Sequence, residues 1–211
     1  MEFRRLVPAD LRDETLRAVG ALLYETDPFI YPAMFYSEAD AAALLGAVIR
    51  AGSDAMFRME NLYAAWEKES LAAILLWHKG RLCWDKDPIL AMAKAKSIRL
   101  PDTFDLVCRK YFSEYDDASL EGVVSLINVC VDRHHRSRGI AKQMLQAFFE
   151  EIREESYELY CLEDNRRAVE LYQGLGFTTV SRQKAFTVRK EEIYSVKMVR
   201  HCTKLPGHTE S

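Results

Sequence analysis

The chain has 211 residues, of which 49% are hydrophobic and 29% charged, a composition typical of a globular domain rather than a disordered chain. Its formal net charge of −3 argues against a partner that binds through phosphates, such as a nucleic acid. The longest apolar run, residues 71–77, is too short to span a membrane, and no signal-peptide pattern follows the N-terminus. We therefore predict a cytoplasmic protein with one domain over residues 1–200 and neither a membrane nor a nucleic-acid partner.

The N-terminal part of the chain predicts one strand and two helices. Residues 3–7 form the strand, and apolar side chains then recur at helical spacing from Leu11 to Leu23. Ser37 is suited to cap a second helix that runs to about residue 50. An aromatic-rich segment, residues 24–36, connects the two helices.

A hairpin and an inserted helical segment follow. Residues 62–66 and 71–78 flank a polar turn, which predicts two antiparallel strands. Residues 79–119 then break the strand pattern, with a weak helix at about 89–99 and a strongly amphipathic one at 104–115. This insertion lies between the third and fourth strands. Its apolar face must be buried, by covering a cleft, forming a dimer surface or enlarging the core.

The second half of the chain alternates strands and helices. Residues 123–131 are nearly all apolar, the pattern of a central strand buried on both faces. The elements that follow are a helix over 140–152, a strand over 157–162, a helix over 165–175, two strands to about residue 200, and a tail over 201–211. We predict an α/β fold with a single mixed sheet flanked by helices.

The cysteines and histidines predict neither disulfides nor a metal site. The five cysteines are odd in number, widely separated and without a C-x-x-C pair. His134 and His135 are adjacent, so their side chains point in different directions, and no carboxylate or cysteine lies at ligand spacing. Cys130 falls in the buried strand, where a thiol is expected to be unreactive. We expect reduced thiols and no bound metal.

A basic loop connects the central strand to the next helix and is the most informative segment. It contains Arg136 and Arg138, and Gly139 marks the beginning of the helix. The N–H groups of a helix's first turn have no partner within the helix, and the helix dipole places partial positive charge there. A glycine lets a phosphate approach this backbone closely. The junction therefore predicts a diphosphate-binding site.

A second segment, residues 165–177, predicts a helix with a functional face. Asn165 suits the N-cap, and Gly176 suits a left-handed closing position. Asn165, Ala168 and Tyr172 are spaced to share one helix face. A tyrosine on that face could act as a general acid toward a bound ligand.

Together these two segments resemble the GNAT N-acetyltransferase superfamily. Residues 136–141 match its acyl-CoA pyrophosphate motif, R/Q-x-x-G-x-G/A, and residues 165–177 match its downstream N-x-x-A-x-x-L-Y-x-x-x-G-F segment. The match covers about residues 126–180, with one helix and one strand between the two motifs, as in the superfamily. The resemblance implies a GNAT-like fold with the helical insertion described above.

The resemblance also implies an activity. An acyltransferase of this kind moves an acetyl group from acetyl-CoA to a primary amine of a small molecule or peptide, by direct attack in a ternary complex. Tyr172 would protonate the leaving thiolate, while Asn165 would contact the pantetheine end and Ala168 would allow its close approach. The cofactor-binding residues implied are Val129, Cys130, Val131, Arg136, Ser137, Arg138, Gly139, Ile140, Ala141, Asn165, Ala168 and Tyr172.

The proton acceptor for the amine is left open. Some members of the superfamily place a glutamate on the central strand, at the position of Ser125 here. Glu121, Glu25 and Asp27 are the substitutes considered, and a water relay with no dedicated base is the alternative.

Two other functions remain as alternatives, and the oligomeric state is open. The loss of the glutamate permits a non-catalytic acyl-CoA-binding sensor. A nucleic-acid-binding role for the basic loop predicts salt-dependent binding, and the net charge of −3 argues against it. A homodimer is compatible with the sequence.

Overall fold

The computed structural model describes residues 1–80, 85–109, 122–188 and 191–202. Within these residues, seven strands form one sheet in the order β1-β2-β3-β4-β5-β7-β6. The strands are β1 (Glu2–Arg5), β2 (Leu62–Glu67), β3 (Ser70–Lys79), β4 (Val124–Val131), β5 (Ser156–Leu162), β6 (Thr178–Val188) and β7 (Glu191–His201). All neighbouring strands are antiparallel except β4 and β5, which are parallel. The predicted mixed sheet is therefore confirmed.

The helices lie on both faces of this sheet. They are α1 (Asp13–Glu25), α2 (Ile30–Met34), α3 (Glu38–Ala51), α4 (Asp87–Ala95), α5 (Phe104–Val107), α6 (Ile140–Ile152) and α7 (Arg166–Gln173). Ser37 caps α3 as predicted, because its hydroxyl accepts a hydrogen bond from the N–H of Asp40 at 3.1 Å. The aromatic segment between α1 and α3, predicted as a connection, contains the short helix α2.

Two apolar clusters separate the layers. Leu76 of β3 packs with α1 to α5, whereas Trp77 and Leu126 pack with α6 and α7 on the opposite face. This alternation follows from the two-residue period of a strand. The segment that carries α2 and the helices α6 and α7 therefore lie on opposite faces of the sheet.

Two glycines hold α1 and α3 close together. A Cβ atom added at Gly20 would lie 2.7 Å from the Cα of Ala42, and one added at Gly46 would lie 3.0 Å from the carbonyl oxygen of Leu16. Neither position leaves room for a side chain, so the two helix backbones are in direct contact. This contact fixes the ends of the segment that carries α2.

The insertion between β3 and β4 is helical, as predicted. Its described part contains α4 and α5, and Ile89 and Phe104 are buried in the same cluster as α1 and α3. The Thr103 hydroxyl donates a 2.6 Å hydrogen bond to the carbonyl of Ala33 in α2. Of the three roles considered, the described part enlarges the core. The predicted helix over 104–115 is seen as α5, and residues 110–121 lie outside the described residues.

Two predictions about the sheet are wrong. β4 is fully buried only over its first half, because Ile127, Asn128, Val129 and Val131 are half-buried. The predicted tail begins too early, since His201 pairs with Ser156 as the last residue of β7. The pairing of β5 with its two neighbours explains both differences. β5 pairs with β4 only as far as Leu126, whereas it pairs with β7 as far as His201.

Among the described residues, no helix combines the length and the apolar character that spanning a bilayer requires.

We predict that Gly20→Val destabilises the protein by about 1–3 kcal/mol, because the added side chain overpacks the contact between α1 and α3. Urea unfolding followed by circular dichroism measures the change. Ala43→Val introduces the same side chain at an exposed position of α3 and should cost only about 0.5 kcal/mol in helix propensity. Equal effects of the two substitutions would contradict the close contact.

Candidate active site

The site is built around the point where β4 and β5 separate. These strands pair only at Val124–Tyr157, Ser125–Glu158 and Leu126–Leu159. β4 then carries an irregularity, because Leu76 of β3 pairs with Asn128 whereas Trp77 pairs with Leu126. Ile127 is thus an extra residue, a β-bulge that bends the strand. Beyond it, β3 is the only described strand that pairs with β4.

The separated half of β4 exposes backbone groups at its free edge. Asp132 donates to the carbonyl of Ala72 on the β3 side, and alternate residues of an antiparallel strand direct their backbone groups to opposite edges. Val131 and Val129 therefore direct theirs toward the gap between β4 and β5. A chain of amides can pair with such an edge as another strand would.

The loop after β4 leads directly into the N-terminus of α6. Gly139 has φ +72° and precedes the first helical residue, Ile140. A Cβ atom at Gly139 would meet only the Gln143 amide at 3.6 Å, so the backbone conformation, not space, favours glycine there. The first hydrogen bond of the helix runs from the N–H of Gln143 to the carbonyl of Gly139. The N–H groups of residues 140–142 therefore have no partner within the helix.

The two loop arginines are paired with carboxylates. Arg136 lies 2.7 Å from Glu25 and also donates to the carbonyl of Val131 at 2.9 Å. Arg138 pairs with Glu67 at the end of β2, and this ion pair is the main cause of the lowered pKa of Glu67. Both arginines are more than 40% exposed in their side chains, so these pairs exchange readily with other anions.

His135, in the same loop, lies between two carboxylates. It lies 3.0 Å from Asp132 and 3.2 Å from Glu67. Asp132 also accepts a hydrogen bond from the N–H of His134 at 2.9 Å. Across the described residues, no group of three or more His, Cys, Asp or Glu side chains is arranged to hold a metal ion. The absence of a metal stays a prediction.

The second predicted segment packs on the same face of the sheet as α6. Asn165 caps α7, with its side chain accepting from the N–H of Ala168 at 3.3 Å. Tyr172 is buried, and its ring packs edge-on against Phe177 at 5.8 Å between centroids. Burial, together with the nearby Cys161, raises the pKa of Tyr172 well above its usual value. Its hydroxyl is therefore protonated at neutral pH.

Of the predicted cofactor-binding residues, Cys130 lies on the other face of β4. Its side chain packs in the cluster of α1 to α5, whereas Val129 and Val131 pack toward α6 and α7. Burial raises the pKa of the Cys130 thiol to about 12. Any contribution of this residue to a bound ligand would come from its backbone. Ser137, with φ +63°, lies in the exposed loop.

The candidate bases differ in their surroundings. Glu25 is in the ion pair with Arg136. Asp27 accepts hydrogen bonds from the N–H groups of Phe29 and Ile30, and burial raises its pKa. Glu121 lies outside the described residues. None of the described candidates is next to Ser125.

The residue that is next to Ser125 was not among the candidates. Ser125 donates a 2.9 Å hydrogen bond to Glu158 of β5, which is itself buried. A signal was available in the sequence: Glu158 is a charged residue inside a predicted strand. Its pairing with Ser125 depends on the register of two strands 33 residues apart, which the sequence does not reveal.

A polar network lies on the same face of β4. The Asn128 side chain donates to Thr26 at 2.7 Å and accepts from the Tyr31 hydroxyl at 3.0 Å. Tyr31 and Phe35 are core residues, whereas Tyr36 is 55% exposed. The aromatic segment is therefore partly core and partly surface, and it is tied to β4 next to the bulge.

Comparisons with known proteins agree on one family. A model of the acetyltransferase (GNAT) family matches residues 54–177. The chain is 34% identical over 70 residues to a probable spermine N(1)-acetyltransferase of Bacillus subtilis subsp. natto (strain BEST195). That match covers 31% of this chain and 46% of the relative, so the chain spans less than half the length of this curated relative.

Solved structures share the fold. An N-acetyltransferase from Staphylococcus aureus Mu50 aligns with a TM-score of 0.61 at 14% identity, covering 94% of this chain and 100% of that one. The ribosomal-protein-S18-alanine N-acetyltransferase from Escherichia coli aligns with a TM-score of 0.57 at 12% identity, covering 100% and 99%. At these identities the likeness shows the fold alone.

We predict that Cys130 is resistant to alkylation in the folded protein. A rise in its pKa from 9.0 to about 12 lowers the thiolate fraction about 1,000-fold at mildly alkaline pH. Iodoacetamide labelling with peptide mass mapping, compared with the urea-unfolded chain, measures this protection. Cys202, which is half-buried, is the internal reference. Labelling of Cys130 as fast as Cys202 would contradict its burial.

Proposed function

The chain belongs to the acetyltransferase (GNAT) family, and on that premise we propose that it transfers an acetyl group from acetyl-CoA to a primary amine. The amine attacks directly in a ternary complex, with no covalent enzyme intermediate. One observation carries the proposal: the free backbone edge of β4 is followed, after the short loop 132–138, by the helix N-terminus at Gly139. An acyl-CoA needs these two features side by side, because it joins an amide-containing arm to a diphosphate.

The residues present fit this cofactor. The backbone groups of Val129 and Val131 at the free edge would pair with the amides of the pantetheine arm. The first-turn N–H groups after Gly139 would donate to the pyrophosphate, with the helix dipole adding to the attraction. Acetyl-CoA, when bound, supplies the activated acetyl group as a thioester.

Arg136 and Arg138 would add side-chain charge at the pyrophosphate. Each would exchange its carboxylate, Glu25 or Glu67, for a phosphate oxygen. Because the existing pairs are exposed, this exchange costs little. The exchange also releases Arg136 from the carbonyl of Val131, which makes that group available to the pantetheine arm.

Tyr172 is proposed to protonate the leaving thiolate. Its hydroxyl is protonated at neutral pH, the state from which a general acid donates. It lies on α7, the helix that Asn165 caps. Asn165 would contact the end of the pantetheine arm, and Ala168, half-buried on the same helix, would allow close approach.

The acceptor is proposed to be a cationic primary amine of a small molecule or peptide. The acceptor is assigned to the face of the sheet on which α1 to α5 pack. Glu158 of β5 meets Ser125 on that face, Glu25 ends α1, and Asp27 follows it. The curated relative is named for spermine, a polyamine, which is consistent with such a site. A buried carboxylate next to Ser125 supports turnover over a sensor that only binds acyl-CoA.

We predict that the purified protein binds acetyl-CoA in calorimetric titration and that Gly139→Glu abolishes this binding. The added carboxylate repels the pyrophosphate, and a side chain is strained at φ +72°. Gly52→Glu is the matched control, because Gly52 has φ +60° with open space around it and lies at the end of α3. Loss of binding in both variants, or retention in both, would contradict binding of the pyrophosphate at Gly139.

We predict that Tyr172→Phe lowers kcat about 10- to 100-fold, since the thiolate then leaves without its acid. The Kd for acetyl-CoA should stay within about twofold, because the ring and its packing remain. Steady-state kinetics with a panel of primary amines, together with calorimetry, measures both constants. Tyr63→Phe removes a hydroxyl from another buried tyrosine of the same cluster and should leave kcat unchanged. A wild-type kcat in Tyr172→Phe would exclude this acid.

A further inference from the structure

Glu158 is a buried carboxylate to which no step of the proposed reaction has yet been assigned. It is 5% exposed. One carboxylate oxygen accepts the 2.9 Å hydrogen bond from Ser125, and the other lies 2.8 Å from the ammonium of Lys197 on β7. Burying an ion pair in a sheet seldom stabilises a fold compared with apolar residues of the same size. The pair therefore calls for an explanation other than packing.

The position of Glu158 relates it to the reacting centre. The Ser125–Glu158 pair is one step before Leu126–Leu159, the last pair at which β4 and β5 touch. The strands separate immediately beyond it, where the acyl group would lie under the proposed function. Ser125 shares a strand face with Asn128, and Asn128 contacts Tyr31 on the acceptor side.

The surroundings of Glu158 keep it in contact with a cation. Burial by itself would lower the pKa of Lys197, but the hydrogen bond and charge of Glu158 outweigh burial and raise it. Tyr160 lies beneath Lys197, 5.6 Å from its ammonium to the ring centroid. On β3, His78 pairs with Ser125, and burial lowers the pKa of this histidine. Further along the same face lie Cys130 of β4 and His201 of β7, which pairs with Ser156.

Resting on the proposed function, we propose that Glu158 is the proton acceptor for the attacking amine and that the Ser125 hydroxyl relays the proton. A cationic amine must lose a proton before its nitrogen can attack. That proton passes to the Ser125 oxygen while the serine's own proton passes to Glu158, which later releases it to solvent. The carbon–nitrogen bond then forms and the carbon–sulfur bond breaks. Tyr172 protonates the thiolate and regains a proton from the nitrogen.

This relay accounts for the serine at position 125, where some members of the superfamily have a glutamate. A carboxylate reaches the centre of the sheet from β5 rather than from β4, and the serine bridges the remaining distance with a hydroxyl that both donates and accepts. Lys197 balances the charge of Glu158 while the site is at rest. Glu158 acts through Ser125, so its role is measured by the pH dependence of turnover and not by affinity alone.

The test is Glu158→Gln, which keeps the shape of the side chain and still accepts from Ser125. We expect kcat at neutral pH to fall roughly 100-fold or more with the amine panel, with an unchanged Kd for acetyl-CoA. We also expect kcat of the variant to keep rising with pH beyond the point where the wild-type value levels off. Without an acceptor, the rate follows the fraction of amine that is already neutral.

Two further variants keep the test independent of folding. Glu158→Gln combined with Lys197→Met leaves no unpaired buried charge, and it should show the same pH profile as the single variant. Ser125→Ala removes the relay and should reproduce that profile with the carboxylate in place. Glu154→Gln is the matched control, because Glu154 also pairs with a lysine, Lys79 at 2.7 Å, at the far end of α6. It should behave as the wild type.

The outcomes separate this inference from the proposed function. A wild-type pH profile in Glu158→Gln, or a raised KM for the amine with kcat unchanged, overturns the relay and leaves acetyl transfer standing. If the wild-type protein binds acetyl-CoA but acetylates no amine of the panel, the proposed function fails and the relay fails with it. Loss of kcat in Glu154→Gln equal to that in Glu158→Gln would assign the effect to stability instead.

Discussion

The contact between β4 and β5 ends after three residue pairs, and the rest of the site depends on this early ending. The extra residue Ile127 bends β4 away from its parallel neighbour, while pairing with β3 continues on the other side. The backbone groups of Val129 and Val131, at the unpaired edge of β4, are thereby left available to a ligand. β4 continues into the basic loop, so a stretch of only seven residues separates the strand edge at Val131 from Gly139 at the N-terminus of α6.

Charge in this region is arranged in pairs that can change partners. The exposed pairs of Arg136 with Glu25 and of Arg138 with Glu67 hold the loop arginines in place at little cost. The pair of Glu158 with Lys197 is different, because Glu158 is buried and removal of Lys197 would leave its charge unpaired inside the sheet. The first kind suits reversible binding of an anion, and the second kind suits a group whose protonation state must be controlled.

Local signals in the sequence predicted much of this structure. The Ser37 cap, the left-handed Gly176 and the Asn165 cap each follow from residue chemistry within a short stretch of chain, and all three are found in the structure. Contacts between distant residues were not predictable in this way. Glu158 meets Ser125 only because of strand register. The half-burial of β4 results from the β-bulge at Ile127, which no residue type in the sequence predicts.

The hydrogen bond from Tyr31 to Asn128 joins residues 97 positions apart, and it has a consequence for how the molecule forms. The helices α1 to α3 and the unit from β5 to β7 can each organise from contacts along their own chain. The pairing of β3 with β4 must instead close the whole inserted segment, at a cost in loop entropy. High contact order of this kind slows folding. The gap between β4 and β5 therefore exists only once both halves have joined, and the ability to bind a ligand there emerges together with global folding rather than ahead of it.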